Sequence, residues 1–270
     1  MDPLAKILQR YCFAYTAVHD FSVADKVMAD DYTFYMGEAV FKGREEAYKP
    51  AADRQFKAYP GLEFTVHDFF TNGDRCAMFF SEHGYSLQAQ AKTAWHGVSL
   101  YRWNGVDKLT ECRIEQDYYA RRRQLDAKKA DVIAPPGCGI WAAPAVPASP
   151  ANEAAVTKWL QGGGLLRAAI GSLDDERVAP SIDRVIFDDQ KVTVVDILSA
   201  GPKVAFQVRT DGVYAGGLPT LAGHEGTKAT VYATGICEVS DGVVGNVHAV
   251  TDRYTLERRI LSAAKAKANA

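Results

Sequence analysis

The chain has 270 residues, 47% of them apolar and 24% charged, with 31 basic against 33 acidic side chains. That is the profile of a globular protein, and the near balance of charge speaks against a nucleic acid or other polyanion as partner. Five cysteines, an odd number without C-x-x-C spacing, exclude a disulfide framework or structural zinc site, and no apolar run reaches the roughly 20 residues of a membrane span. No signal peptide is legible, so a cytoplasmic location is the default expectation.

Leu4, Ile7, Leu8, Tyr11, Tyr15 and Val18 recur at helical spacing, which predicts a helix from Leu4 to Val18. Its tyrosines either pack in the core or point into a cavity. Asp20 or Ser22 can cap a short helix over Val23–Ala29. Asp30-Asp31-Tyr32 turns into a strand, and a helix perturbed by Pro50 runs to about Lys57. Four long strands follow at Leu62–Thr71, Arg75–Leu87, Thr93–Trp103 and Lys108–Tyr118. Trp95, Tyr101 and Trp103 share one strand face and can form an aromatic wall, with His96 on the other face. The run Arg121-Arg122-Arg123 reads as a solvated helix face.

Residues 126–150 hold five prolines among alanine and glycine, the composition of a semi-rigid linker. Trp141 within it is expected to dock on a neighbouring surface. A helix from Asn152 to about Ile170 is broken by Gly162-Gly163-Gly164, each glycine costing about 1 kcal/mol relative to alanine. Strands follow from Lys191. The last two, around Thr230–Val239 and Val243–Asp252, form a hairpin through Ser240-Asp241-Gly242. Alternation puts Val244, Asn246, His248, Val250 and Asp252 on one face, ahead of a short helical turn.

Two stretches match at a constant spacing. Val66-His-Asp-Phe69 falls on Val194-Val-Asp-Ile197, then Gly73 on Gly201, Arg75 on Lys203, Ala77 on Ala205 and Gly84 on Gly212. Asp117 also matches Asp252, at a different offset, each closing a strand before a helical tail. The chain therefore reads as two copies of one domain, 1–125 and 151–270, around the linker 126–150. The second copy has a reduced helical layer, with no clear equivalent of the first copy's acid-rich turn and third helix.

The terminal hairpin with its closing acid resembles that of SnoaL-like polyketide cyclases, in the nuclear-transport-factor-2-like superfamily. The resemblance implies an α+β chain of two cystatin-like, cone-shaped domains, each a curved, mainly antiparallel sheet with helices on its concave face. It implies a cofactor-independent acid/base enzyme, of cyclase, isomerase or lyase type, for a small, largely apolar, aromatic or polycyclic molecule. It also implies pairing through sheet faces, within the chain or as a homo-oligomer. The alternative is a non-catalytic binding or assembly module with a vestigial cavity. Candidate acid/base and oxyanion groups are Asp117, His83, Tyr32, Asp252 and His248, with Asp117 and Asp252 open to a structural reading as ion-paired or capping residues. Candidate substrate contacts are Tyr11, Tyr15, Trp95, Tyr101, Trp103, Arg113 and Glu115. The His248–Asp252 spacing is about 13 Å along a strand, too far for a hydrogen bond. No metal or cofactor motif is present. The working site is expected in the first half, which keeps the fuller helical cover.

Overall fold

The computed structural model describes residues 1–167, 171–176 and 184–268. Asp2 starts the chain's first helix, α1 (Pro3–Arg10), by accepting from the N–H groups of Leu4 and Ala5, with Pro3 in the first turn, where its missing N–H costs nothing. The helix continues as a widened π-helical turn, Tyr11–Thr16. Asp20 caps α2 (Phe21–Val27). The hairpin β1 (Met28–Met36) and β2 (Ala39–Lys42) leads through a second π turn, Arg44–Tyr48, into α3 (Lys49–Ala58), which carries Pro50 in its first turn. The backbone is helical from Arg44 through Ala58, and the change from π to α geometry comes just before Pro50, the perturbation expected there.

Strands β3 (Glu63–Thr71), β4 (Arg75–Ser86), β5 (Ala91–Trp103) and β6 (Leu109–Gln116) complete the first sheet, ordered β2-β1-β6-β5-β4-β3, with only β1 and β6 parallel. Asp117 ends β6 and caps α4 (Tyr118–Ala127). The chain then crosses an extended segment in which Trp141 packs against Phe69 and Phe13, at centroid distances of 5.1 and 6.0 Å. The segment also hydrogen-bonds the outer edge of β3, through Gly137 to Val66 and Val146 to Thr71, which shields that edge.

Ser149 caps α5 (Pro150–Gln161), which breaks at the glycine run before the single turn of α6 (Gly164–Arg167). Residues 168–170, in the expected continuation of that helix, lie outside the described residues. Next come β7 (Gly171–Leu173), β8 (Ile186–Ala200), β9 (Lys203–Gly216), β10 (Lys228–Ser240) and β11 (Val243–Thr251). Their order is β7-β11-β10-β9-β8, again with one parallel pair, β7 with β11. In place of a short turn after Asp252, a 16-residue helix, α7 (Arg253–Ala268), ends the described chain.

Each sheet places helices on one face and the other sheet on its second face. In the first half, even-numbered side chains of β4 (Cys76, Met78, Phe80) meet Leu4, Leu8 and Tyr11. The opposite face (Ala77, Phe79, Val98, Leu100) packs on Ala205, Leu198, Ile236 and Val250 of the second sheet. The faces expected to pair thus cover each other within the chain. This interface is reciprocal: Lys203 binds Asp68 at 2.7 Å, and Arg75 binds Asp196. The β-bulges also correspond, at Val66/Asp68 and at Val194/Asp196.

One expected face does not survive. Asn246 lies at φ +48° beside a register shift between β10 and β11, which reverses the alternation there. Val244 packs on the helix-covered core with Val247 and Ala249, while His248 and Val250 face the other sheet.

Candidate active site

The helix-facing side of the first sheet is not filled. Phe64 of β3, Glu82 of β4, and Ile114 and Gln116 of β6 form its floor. Phe34, Met36 and Phe41 of the β1–β2 hairpin form one wall. Tyr11, Thr16, Tyr48, Gln55, Phe56 and Tyr118 close over a cavity of about 270 Å³. The π turns widen the helical spiral where Tyr11 and Tyr48 enter this space, a device often found at functional sites.

Glu82 is the carboxylate of this cavity and is only 3% exposed. Gln55 Nε2 donates to its Oε2 at 3.1 Å. Trp95 Nε1 donates to Gln116 Oε1 at 3.1 Å beside it. Burial pushes the Glu82 carboxyl up to about 7, a rise that the positive charge of Arg121 and bonds from Gln55, Gln116 and Trp95 hold in check. Arg121 itself lies over the Tyr118 ring, 4.0 Å from its centroid. A carboxyl of this kind exchanges its proton near neutral pH, which is what a general acid or base requires.

The cavity also holds neutral donors. The Tyr11 and Tyr48 hydroxyls stand 3.2 Å apart, and burial raises both phenols well above their ordinary range. They remain O–H groups at neutral pH, able to donate to an oxygen that gains negative charge. Thr16 Oγ1 is buried with no hydrogen-bond partner among the described residues.

Of the residues nominated from the sequence, Tyr11 lines the cavity. Tyr15, Tyr32, Trp95 and Tyr101 belong to the apolar core behind it: Tyr15 and Tyr101 lie 5.6 and 6.0 Å from Tyr11, and Tyr32 packs edge-on against Tyr48 at 5.1 Å. Trp103 lies on the expected face with Tyr101, but its indole N–H binds the Gly73 carbonyl at 3.1 Å, away from the cavity.

The remaining nominees occupy the opposite face, because alternation turns odd-numbered residues of β4 and β6 away from the helices. His83 bonds Thr65 Oγ1 at 3.0 Å, and desolvation lowers its basicity. Arg113 lies over Tyr35 and binds Glu111 at 2.8 Å, facing the second half through Gln207. Glu115 is fully buried against the second sheet, which raises its carboxyl well above the ordinary range. His248 stacks on Phe79 and meets Ser172 at 2.6 Å.

Asp117 and Asp252 lie outside the cavity lining and are engaged in ion pairs and backbone hydrogen bonds. Asp117 caps α4 through Ala120 and pairs with the buried Arg253 at 2.8 Å. Arg253 also binds Asp175 at 2.8 Å and stands 3.7 Å from Asp174, so one guanidinium neutralises a carboxylate of the first half and two of the second. Asp252 accepts from the Tyr232 N–H at 2.8 Å and from Arg259 at 3.0 Å. Burial pushes it up to about 6. The expected solvated arginine run is likewise engaged: Arg122 pairs with Glu257, and Arg123 with Asp131 and Asp175.

Thr16, Tyr48, Gln55 and Tyr118 of the lining were not nominated, and two further residues were missed by one position each: Glu82 beside His83, and Gln116 beside Asp117. The signal was parity. Cys76, Met78, Phe80 and Glu82 form a single inward stripe, and an acid that ends an apolar stripe is the exception to look for.

Residues 8–112 match the family described as the SnoaL-like domain. Among solved structures, a putative polyketide cyclase from Acidithiobacillus ferrooxidans is 20% identical, covering 46% of this chain and 94% of that one with a TM-score of 0.41. TsrD from Streptomyces laurentii is 17% identical, covering 46% and 96% with a TM-score of 0.42. An epoxide hydrolase from M. tuberculosis resembling limonene epoxide hydrolase is 14% identical, covering 47% and 91% with a TM-score of 0.40. No curated protein matches the chain. Among the described residues no helix is long and apolar enough to cross a membrane.

Proposed function

We propose that this chain, whose residues 8–112 are a SnoaL-like domain, is a cofactor-independent acid/base enzyme for a small, largely apolar, aromatic or polycyclic molecule. The observation that carries this reading is Glu82, a buried carboxyl poised near neutral pH on the floor of an apolar cavity. Its ionised form takes a proton from a carbon next to a carbonyl, or from a β-hydroxyl, whose Cα–Cβ bond then breaks to give the enolate. The Tyr11–Tyr48 pair, or the amides of Gln55 and Gln116, donates to the resulting enolate oxygen. Glu82 then returns the proton, or the enolate carbon closes a ring or expels a leaving group. Isomerisation, cyclisation and retro-aldol cleavage all use this equipment.

The second half is proposed to be a second copy of the same domain. The shared strand order, the corresponding bulges and the reciprocal Asp68–Lys203 and Asp196–Arg75 pairs support this. Among the described residues its helix-facing side is packed with side chains, which favours the assembly reading for that half alone.

The test is solvent exchange of the α-protons of 2-tetralone in D2O, followed by NMR. The wild-type protein is expected to accelerate exchange, and Glu82→Gln to lose about 10²–10⁴-fold of that acceleration while staying folded. A Glu82→Gln protein exchanging at the wild-type rate would remove Glu82 from the mechanism.

A further inference from the structure

The turn between β1 and β2 joins the cavity wall to the second half. Gly37, at φ +55°, gives its N–H to Glu115 Oε1 at 2.7 Å. Glu38 pairs at 3.2 Å with Arg259 of α7. Arg259 in turn binds the Asp252 carboxylate at 3.0 Å and the Thr230 carbonyl at 2.7 Å. Glu115 is itself held from the second half: its backbone N–H donates to Thr234 Oγ1 at 3.0 Å, and Gln207 Nε2 stands 3.4 Å from its carboxylate. The turn packs directly on this cluster, since a Cβ at Gly37 would lie 3.0 Å from Asp252 Oδ2. The hairpin that ends in this turn carries Phe34, Met36 and Phe41 into the cavity.

We infer that Arg259 and Glu115 are positioning residues: through them the second half clamps the β1–β2 turn and so fixes the cavity wall of the first half. The inference rests on the reading of that cavity as the working site. It gives the second half a task although its own helix-facing side is filled. It also accounts for buried carboxylates, Glu115 and Asp252, that face away from the cavity. A hairpin joined to the sheet through one edge only has few other restraints at its tip. Gly37 suits the site twice over, as a residue at positive φ and as one without a Cβ to meet Asp252.

The test is hydrogen exchange of the full chain, read by mass spectrometry at residues 33–42, with 2-naphthol binding as a second readout. Arg259→Met and Glu115→Ala are expected to speed hairpin exchange about 10-fold or more, with exchange in β3 and β4, which neither residue touches, unchanged. Glu115→Gln, which keeps an acceptor for the Gly37 N–H, is expected to match the wild type. Glu38→Ala alters an exposed side chain and leaves the buried cluster intact, so it is safe for folding. It is expected to give about a 2–5-fold rise. Naphthol affinity should fall in step with hairpin exchange. Unchanged hairpin exchange in these variants overturns the inference, as does an equal rise across both sheets, which marks general destabilisation. Local hairpin opening in a protein whose wild type binds no naphthol supports the clamp and overturns the cavity reading beneath it.

Discussion

The helix-facing stripe of β4 reads Cys76, Met78, Phe80, Glu82; the corresponding stripe of β9 reads Val204, Phe206, Val208, Thr210. The two strands pair with their neighbours in the same register, Glu82 opposite Phe64 and Thr210 opposite Val192. The first stripe faces an open cavity of about 270 Å³. Among the described residues the second is packed by α5, with Trp159 against Phe206. The acid and the space beneath the helices thus occur together in the first stripe. Among the described residues the second stripe has Thr210 at the acid's position, and the hollow of about 480 Å³ in that half is lined instead by Asp189, Lys191, Asp211 and Thr230. Burying a carboxyl is costly without a role, and a large void is costly without a ligand, so their coincidence argues for function.

Several changes would break or sharpen this contrast. The largest effect on stability is expected from Arg253→Met, which leaves Asp117, Asp174 and Asp175 buried without their shared cation. A loss of about 3–5 kcal/mol, read by urea denaturation, would show that these buried acids depend on this one cation. Phe206→Ala opens the second half's filled face and should cost a similar amount, about 3–4 kcal/mol, without creating turnover, because Thr210 stands where Glu82 would be needed.

The pH dependence gives a smaller, signed effect. The folded-state Glu82 carboxyl, at about 7, lies above its unfolded value near 4.5, so the folded protein binds the proton more tightly. Its contribution to stability is fully present below about pH 4.5. It declines as pH rises, by roughly 3 kcal/mol once pH has passed 7. Glu82→Gln should remove only that share of the fall in stability seen by comparing denaturation at pH 5 and pH 8, since Asp174, Asp252 and Glu115, which burial raises in the same direction, stay in place. Least affected should be His83→Ala, which breaks one hydrogen bond to Thr65 on the far face. About 1 kcal/mol of stability and no change in tetralone exchange are expected.

The fold was largely legible because periodicity reports it directly. The strand pattern, the proline-rich crossing, the docking of Trp141 and the helix break at the glycine run all follow from local composition. The site was less legible because it depends on which face of each strand is covered by helices. Arg113, Glu115 and Asp117 do share a face, but that face meets the second sheet rather than the cavity. A shift of one residue separates His83 from Glu82 and Asp117 from Gln116, and alternation turns that shift into opposite surroundings. The Asn246 bulge and the Arg253 hub lay beyond reach for another reason. Both depend on contacts between segments far apart in the chain, such as Asp117 with Arg253, and periodicity carries no record of them.

The central claim is that Glu82 is the poised acid of an open cavity. NMR titration of protein carrying ¹³C-labelled glutamate carboxyls, with Glu82→Gln to assign the resonance, tests it most directly. The account predicts that the Glu82 carboxyl titrates near pH 7 and that 2-naphthol shifts its resonance while leaving Glu257, on α7, unmoved. A Glu82 carboxyl that titrates near 4.5 and ignores naphthol would contradict it.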